Sequence, residues 1–357
     1  MNHVVLPGCS APERVLFKPN SPFDNFFKKF DELTRSISLK SIFFVTILYL
    51  IFNVFHLIIL SRPSMRGLSV SAEMILIAIC GVLTGILGVF KSIVEIIDND
   101  FACTHSYWYY VLVLVHFLIF QVLNQIILWE IVYITFLRAA VILDVRYGMK
   151  TNKLKLYMKR FIYTLFFIFL LNHFVRIGFH RIEEVVDKAQ IAEALNGKTC
   201  VPKKVYTIAA FAGNCLRRIL LTIAGITSLI APILIMLILS VFLVFELRTS
   251  ISSTIISTES SNRQNTTARA LLLFLCFYVM AELPYVLLFS IGLYNPADFE
   301  QLDEYTYTQV DIFIYVNMCL GILVYCLMSS QYRATVLETF WRKNQVSVVD
   351  KTSRITA

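Results

Sequence analysis

The sequence predicts an all-α protein: a bundle of seven membrane-spanning helices. Three observations carry that expectation. Only 16% of the 357 residues are charged and 57% are hydrophobic, whereas a soluble domain carries about a quarter charged residues. The mean hydropathy is +0.70. Long apolar runs recur along the whole chain, and their length decides what the apolar surface faces.

Ile42 to Leu60, Tyr107 to Trp129, Ile219 to Phe245 and Ile312 to Tyr332 contain no charge before their ends. Each is long enough, or nearly so, to cross a ~30 Å hydrocarbon core as a helix. Three further runs carry one or two charges: Met74 to Ile97 (Lys91, Glu95), Phe161 to Phe179 (Arg176) and Ala270 to Leu293 (Glu282). That makes seven spans. A membrane barrel would instead show alternating segments of ~10 residues.

The net charge of +8 invites a nucleic-acid partner, but the placement of charge argues for a membrane and against nucleic acid. Seven basic residues lie between Arg138 and Arg160. The segments before Tyr107 and after Tyr294 are acidic, with Asp98, Asp100, Asp298, Glu300, Asp303 and Glu304. Short cytoplasmic loops accumulate Lys and Arg, so the loop 138–160 is expected inside. The N-terminus is then extracellular and the C-terminus cytoplasmic. The loop at 180–218 is also basic, but long loops count for little under the same rule. The first forty residues hold no signal peptide with a compact apolar core. Phe23 to Ile37 has apolar residues at helical spacing, consistent with a helix on the membrane surface or with a loosely ordered tail. The expected divisions are an extracellular tail, 1–40, a seven-span domain, 41–332, and an amphipathic helix with a cytoplasmic tail, 333–357.

Most of the eight cysteines fall inside spans or at their ends, where they act as small apolar fillers. Cys103, just before span three, and Cys200, in the long loop after span four, are both expected outside, where disulfides persist. A bridge between them would pin that loop over span three, leaving Cys9 unpaired. No HExxH, CxxC, Gly-rich phosphate loop, GxSxG or paired intramembrane aspartates occur, so neither a metal nor another cofactor is expected, and no enzyme. Asn265-Thr266-Thr267 matches a glycosylation sequon on the cytoplasmic side, where it stays bare.

Polar groups inside spans are costly, so each is a functional candidate. Glu130, Glu282 and Asp311 stand out, with Gln121, Asn124 and Gln125 on span three and Asn317 on span seven. The plain alternative is an interhelical hydrogen-bond network that holds the bundle together. Glu282 precedes Pro284, which bends a helix and frees a carbonyl; Pro232 should bend span five similarly. No Lys or Arg is expected at the depth of Glu282, so it should be neutral and hydrogen-bonded to Asn124 or Asn317.

Local strings add a resemblance. Span six contains Ala281-Glu282-Leu283-Pro284, and span seven ends Met328-Ser329-Ser330-Gln331-Tyr332-Arg333. Span five runs from Pro232 to Glu246-Leu247-Arg248, and Arg62-Pro63-Ser64-Met65-Arg66 precedes Ile77-Ala78-Ile79-Cys80. From about residue 41 to 342 the chain resembles the nematode serpentine chemoreceptor family Srw, rhodopsin-like G-protein-coupled receptors similar to FMRFamide-type and myosuppressin-type peptide receptors. The resemblance implies a multi-pass receptor of the plasma membrane, in sensory cilia for a chemosensory one. It would take an extracellular peptide or environmental small molecule as ligand and a heterotrimeric G protein as partner. Gln121, Asn124, Gln125, Glu282, Tyr285, Asp311 and Tyr315 would line the ligand pocket. Arg138, Asn317 and Tyr325 would form the coupling switch. Gln331 to Phe340 would form an eighth helix on the inner face, with Tyr332, Val336 and Phe340 on its apolar side.

The departures from the family pattern are Leu137 in place of the acid before Arg138, Gly81 in place of a buried aspartate, Gly321-Ile322 in place of Asn-Pro, and Glu282 in place of a tryptophan. They argue against a bound sodium ion. They also leave open a receptor-like protein that no longer signals. A transporter would show internal repeats or paired broken helices, and none is visible. Cys103 lies 35 positions before Arg138, or ~50 Å of helix. Helix three should therefore project beyond the core or begin irregularly.

Overall fold

The computed structural model describes residues 16–18, 21–66, 71–101, 106–148, 152–178, 180–184, 206–210, 214–253 and 259–342. The first helix, α1 (Pro22–Leu60), starts where Ser21 Oγ accepts from the Asp24 N–H at 3.1 Å and Pro22 stands in the first turn. Both features favour a helix start. Its 39 residues make ~58 Å of helix. The segment Phe23–Ile37 is thus the upward continuation of span one.

A single turn, Pro63–Arg66, leads to α2 (Ser71–Phe101). Helix α3 (Tyr107–Tyr147) is capped by Ser106 and ends at Gly148, whose φ of 66° is the left-handed stop that glycine adopts without strain. Its 41 residues give ~60 Å, so it projects beyond a bilayer core as its length requires. It also runs nine residues past Arg138, which corrects the expectation of a loop from 138 onward. Only residues 148–151 separate it from α4 (Asn152–Gly178). Lys155 of α4 meets Asp144 of α3 at 3.1 Å.

The long connection after α4 carries a small hairpin that composition did not announce. Strand β1 (His180–Glu184) pairs antiparallel with β2 (Tyr206–Ala210), His180 opposite Ala210 and Glu184 opposite Tyr206. Tyr206 packs edge-on against Tyr107 with ring centroids 5.7 Å apart, which sets the hairpin over the start of α3.

Helix α5 is built of Asn214–Gly225, a π-helical turn Ile226–Ile230, and Ala231–Ser253. Helices α6 (Glu259–Tyr294, with Pro284 inside) and α7 (Pro296–Met328) follow, separated by Asn295. Asn265 of the sequon lies within α6 rather than in a loop. The break at Ser329 ends span seven four residues before the expected Arg333 boundary. It starts α8 (Ser330–Leu337), whose first turn is capped by Ser329 Oγ and whose end continues as a π turn to Arg342. Tyr332 is fully buried and Phe340 stacks on Phe55 of α1 at 5.7 Å, so the apolar side of α8 lies on the bundle.

Among the described residues, six helices contain segments long and apolar enough to cross a bilayer: Lys40–Leu60, Ser71–Ile97, Tyr107–Asp144, Ile219–Glu246, Leu275–Tyr294 and Tyr305–Leu327. Helix α4, 27 residues long, is the seventh member of the bundle, its apolar stretch interrupted by Asn172, His173 and Arg176. Helix α1 packs on α2 and α7, α7 on α6, and α3 on α2, α4 and α5. Trp129, Ile127 and Ile131 of α3 are buried at the centre with Tyr49 of α1 and Met236 of α5.

Candidate functional site

Polar side chains gather at three levels of the bundle. At mid-depth, Glu282 stands two residues before Pro284 within α6, where it is only 1% exposed. Asn124 Nδ2 of α3 donates to Glu282 Oε1 at 3.4 Å. Glu282 Oε2 is buried with no hydrogen-bond partner. The next residue of α3, Gln125, faces α5. There Pro232 has no N–H to give the carbonyl of Ser228, the acceptor four residues back. The chain answers with the π turn, and Gln125 Nε2 donates to the Ser228 carbonyl at 3.0 Å. Gln125 Oε1 is left buried and unsatisfied. This level therefore offers two free acceptor oxygens, on α3 and α6, to a donor group. Asn317 does not join them: its Nδ2 donates to the Phe313 carbonyl of its own helix at 2.8 Å.

The second level lies toward the hairpin end. Tyr285 of α6 donates through its hydroxyl to Asp311 Oδ1 of α7 at 3.0 Å. The other Asp311 oxygen lies 3.9 Å from Lys91 Nζ of α2, which also meets Glu95 at 3.7 Å and stands 5.2 Å from the Tyr307 ring centre. Two carboxylates thus share one ammonium. All three side chains are mostly buried, each at least 10% exposed. Tyr315 stands one turn below Asp311 against Tyr49 and Phe120, and Gly88 leaves room for its hydroxyl, since a Cβ there would be 2.9 Å away. Above this level the main-chain N–H groups of Leu16 and Phe17 donate to the fully buried Asp298 at 3.1–3.2 Å. Tyr305 and Gln309 of α7 bond Asp24 and Thr34 of α1 at 3.2 and 2.6 Å. The acidic stretch 298–304 is therefore the first turns of α7 rather than a loop.

The third level is at the opposite end. Arg138 has its Nε buried without a hydrogen bond, and Leu137 beside it has no carboxylate to offer. Tyr325 packs edge-on against Tyr332 at 5.8 Å, and His56 Nδ1 of α1 meets the Tyr332 hydroxyl at 3.2 Å. Ser64 bonds Thr335 at 3.0 Å, while Gln331 donates to the Ser64 carbonyl at 2.8 Å. The turn after α1 is thereby tied to α8.

The structure brings Asn124 to Glu282, Tyr285 to Asp311, and Arg138 near Tyr325. Gln121 is half-buried on α3. Cys103 and Cys200 both lie outside the described residues. Sequence reasoning missed Lys91 as the partner of Asp311, Ser228 as the partner of Gln125, and His56. The first had a signal, since a lysine and an aspartate both embedded in spans seek opposite charge. The other two have none outside three dimensions. Residues 40–343 match the family described as serpentine type 7TM GPCR chemoreceptor Srw. A comparison with curated proteins returns no match.

Proposed function

The chain belongs to the Srw family of serpentine seven-transmembrane chemoreceptors, and on that premise we propose a ligand-gated receptor that signals through a heterotrimeric G protein. Its ligand is a neuropeptide or an environmental small molecule. It enters at the hairpin end, which the charge distribution makes extracellular, and it settles among α3, α5, α6 and α7. Gln121, Asn124, Gln125, Glu282, Tyr285, Asp311 and Tyr315 meet it.

The observation that carries this reading is the contact of Asn124 with Glu282 beside Pro284. It joins α3 to the proline-bearing α6 through a buried hydrogen bond, with one oxygen of the acid still free. A ligand donor that takes that acid shifts the balance between two arrangements of α6. At the far end, the movement of α6 away from Arg138 opens a pocket for a Gα subunit, with Tyr325 and Asn317 repacking on α7.

Calcium or cAMP responses to a peptide library and a small-molecule library, in cells expressing the chain, test the reading. Arg138→Ala should stay at the cell surface and keep ligand binding while its response falls by at least about tenfold, the scale of one charge-assisted contact. An unchanged response would remove the coupling role. Tags after Arg14 and Gln345 should label from opposite faces of intact cells, and labelling of both from outside would overturn the orientation.

A further inference from the structure

Helices α2 and α4 both pack on α3, and between them a cleft of about 140 Å³ opens toward the end opposite the hairpin. Its floor is α3. Its mouth is apolar where it meets lipid, Leu76 being 38% and Tyr163 55% exposed. Its interior is charged: Glu73 of α2, Glu130 of α3 and Lys159 of α4 all line it, with Tyr133 between them.

These charges do not satisfy one another. The ion pairs among the described residues are Lys91–Glu95, Lys91–Asp311 and Lys155–Asp144, so Lys159 reaches neither carboxylate within 4.0 Å. It leans instead on the Tyr163 ring, 5.8 Å from its centre. Glu73 Oε2 is buried without any hydrogen-bond partner. A groove that opens on the bilayer cannot draw a soluble counter-ion cheaply, and unpaired ionisable groups at such a place are costly. What the bilayer does supply is headgroups.

We propose that this cleft binds the headgroup of phosphatidylethanolamine. The complementarity has two ends. A primary ammonium carries three N–H donors, as a lysine does, and meets Glu73 and Glu130. The adjoining phosphate meets Lys159. The acyl chains run outward over Leu76 and Tyr163, so the cleft need hold only the headgroup. Phosphatidylcholine has the same charges but no N–H to donate. Phosphatidylserine adds a carboxylate beside two that are already there. An inositol lipid offers hydroxyls and anionic phosphate but no cation for the two carboxylates. The site is separate from the proposed ligand pocket and does not depend on it.

The test uses the purified full-length chain in nanodiscs and needs no variant to begin. Lipids retained after mild delipidation are counted by mass spectrometry across phosphatidylethanolamine, its N-monomethyl and N,N-dimethyl forms, and phosphatidylcholine. Each lost N–H should weaken retention stepwise, to about tenfold overall, the scale of one hydrogen bond to a charged group. Glu130→Gln and Glu73→Gln, checked for a monodisperse, cooperatively melting protein, should abolish the ranking, with the largest loss for phosphatidylethanolamine. Lys159→Gln should weaken all four lipids alike. Equal retention across the methylated series overturns the proposal, and so does a ranking that survives both glutamine variants.

Discussion

The close approach of α1 and α2 yields a prediction about Gly81. A Cβ at that position would land on the Asn53 amide oxygen. Asn53 is 3% exposed, and its Nδ2 donates to the Tyr49 carbonyl at 2.9 Å. In Gly81→Ala, the Asn53 amide must therefore rotate and lose that bond, at about 1 kcal/mol, or α1 must move away, at about 1–3 kcal/mol for an overpacked contact. The expected destabilisation is about 1–3 kcal/mol. Asn53→Ala loses the same bond but clears the obstacle. The double variant should thus be more stable than the sum of the two single losses, by about 1 kcal/mol for contacting residues. Thermal melting of detergent-solubilised protein, followed by fluorescence-detected size exclusion, measures all four corners of the cycle. A wild-type melting curve for Gly81→Ala would refute the reasoning, as would strict additivity. The same geometry accounts for the missing aspartate: the Asn53 side chain fills the space that a side chain at 81 would need.

Glu282→Gln preserves the hydrogen-bonding pattern of a neutral acid and should leave basal signalling unchanged. Glu282→Leu loses the Asn124 contact, worth about 0.6 kcal/mol for an intramembrane hydrogen bond, and should raise basal G-protein activation about threefold; equal damage in both would mean that the charge itself is required. Lys91→Ala leaves Glu95 and Asp311 without their shared ammonium, so surface expression should fall. Adding Asp311→Asn should restore part of it, and a double variant worse than either single would remove the ion pair as a stabilising contact. Cys103→Ser and Cys200→Ser should each lower surface expression, with the double no worse than either; additive losses would mean that the thiols are not partners.

The spans were legible because a bilayer core enforces length: a run that must bury every backbone group in ~30 Å of hydrocarbon leaves an uninterrupted apolar stretch. Where the helices leave the bilayer that constraint ends. Residues 298–304 and 138–147 read as charged loops, yet both are helix, since charge does not break a helix that water can solvate. The contact of Glu282 with Asn124 was also within reach, because few polar groups exist at that depth for a costly acid to meet. Asn317, the other candidate, is satisfied locally by the carbonyl four residues back, an option open to any Asn in a helix.

The pairing of Gln125 with α5 shows where sequence reasoning stops. Pro232 tells that the Ser228 carbonyl loses its helical donor, and Gln125 tells that a donor sits in span three. Nothing in either string says that the two face each other. That alignment depends on the π turn at Ile226–Ile230, which inserts one extra residue's rotation and turns the freed carbonyl toward α3. The defect and its remedy are thus written in different helices, and the carbonyl that Pro232 leaves without a helical donor becomes a link to α3. Movement of α5 must then either keep the Gln125 bond or leave the Ser228 carbonyl without a donor. For that reason the proposed mechanism assigns the movement at mid-depth to α6, where Asn124 and Glu282 meet at 3.4 Å, rather than to α5.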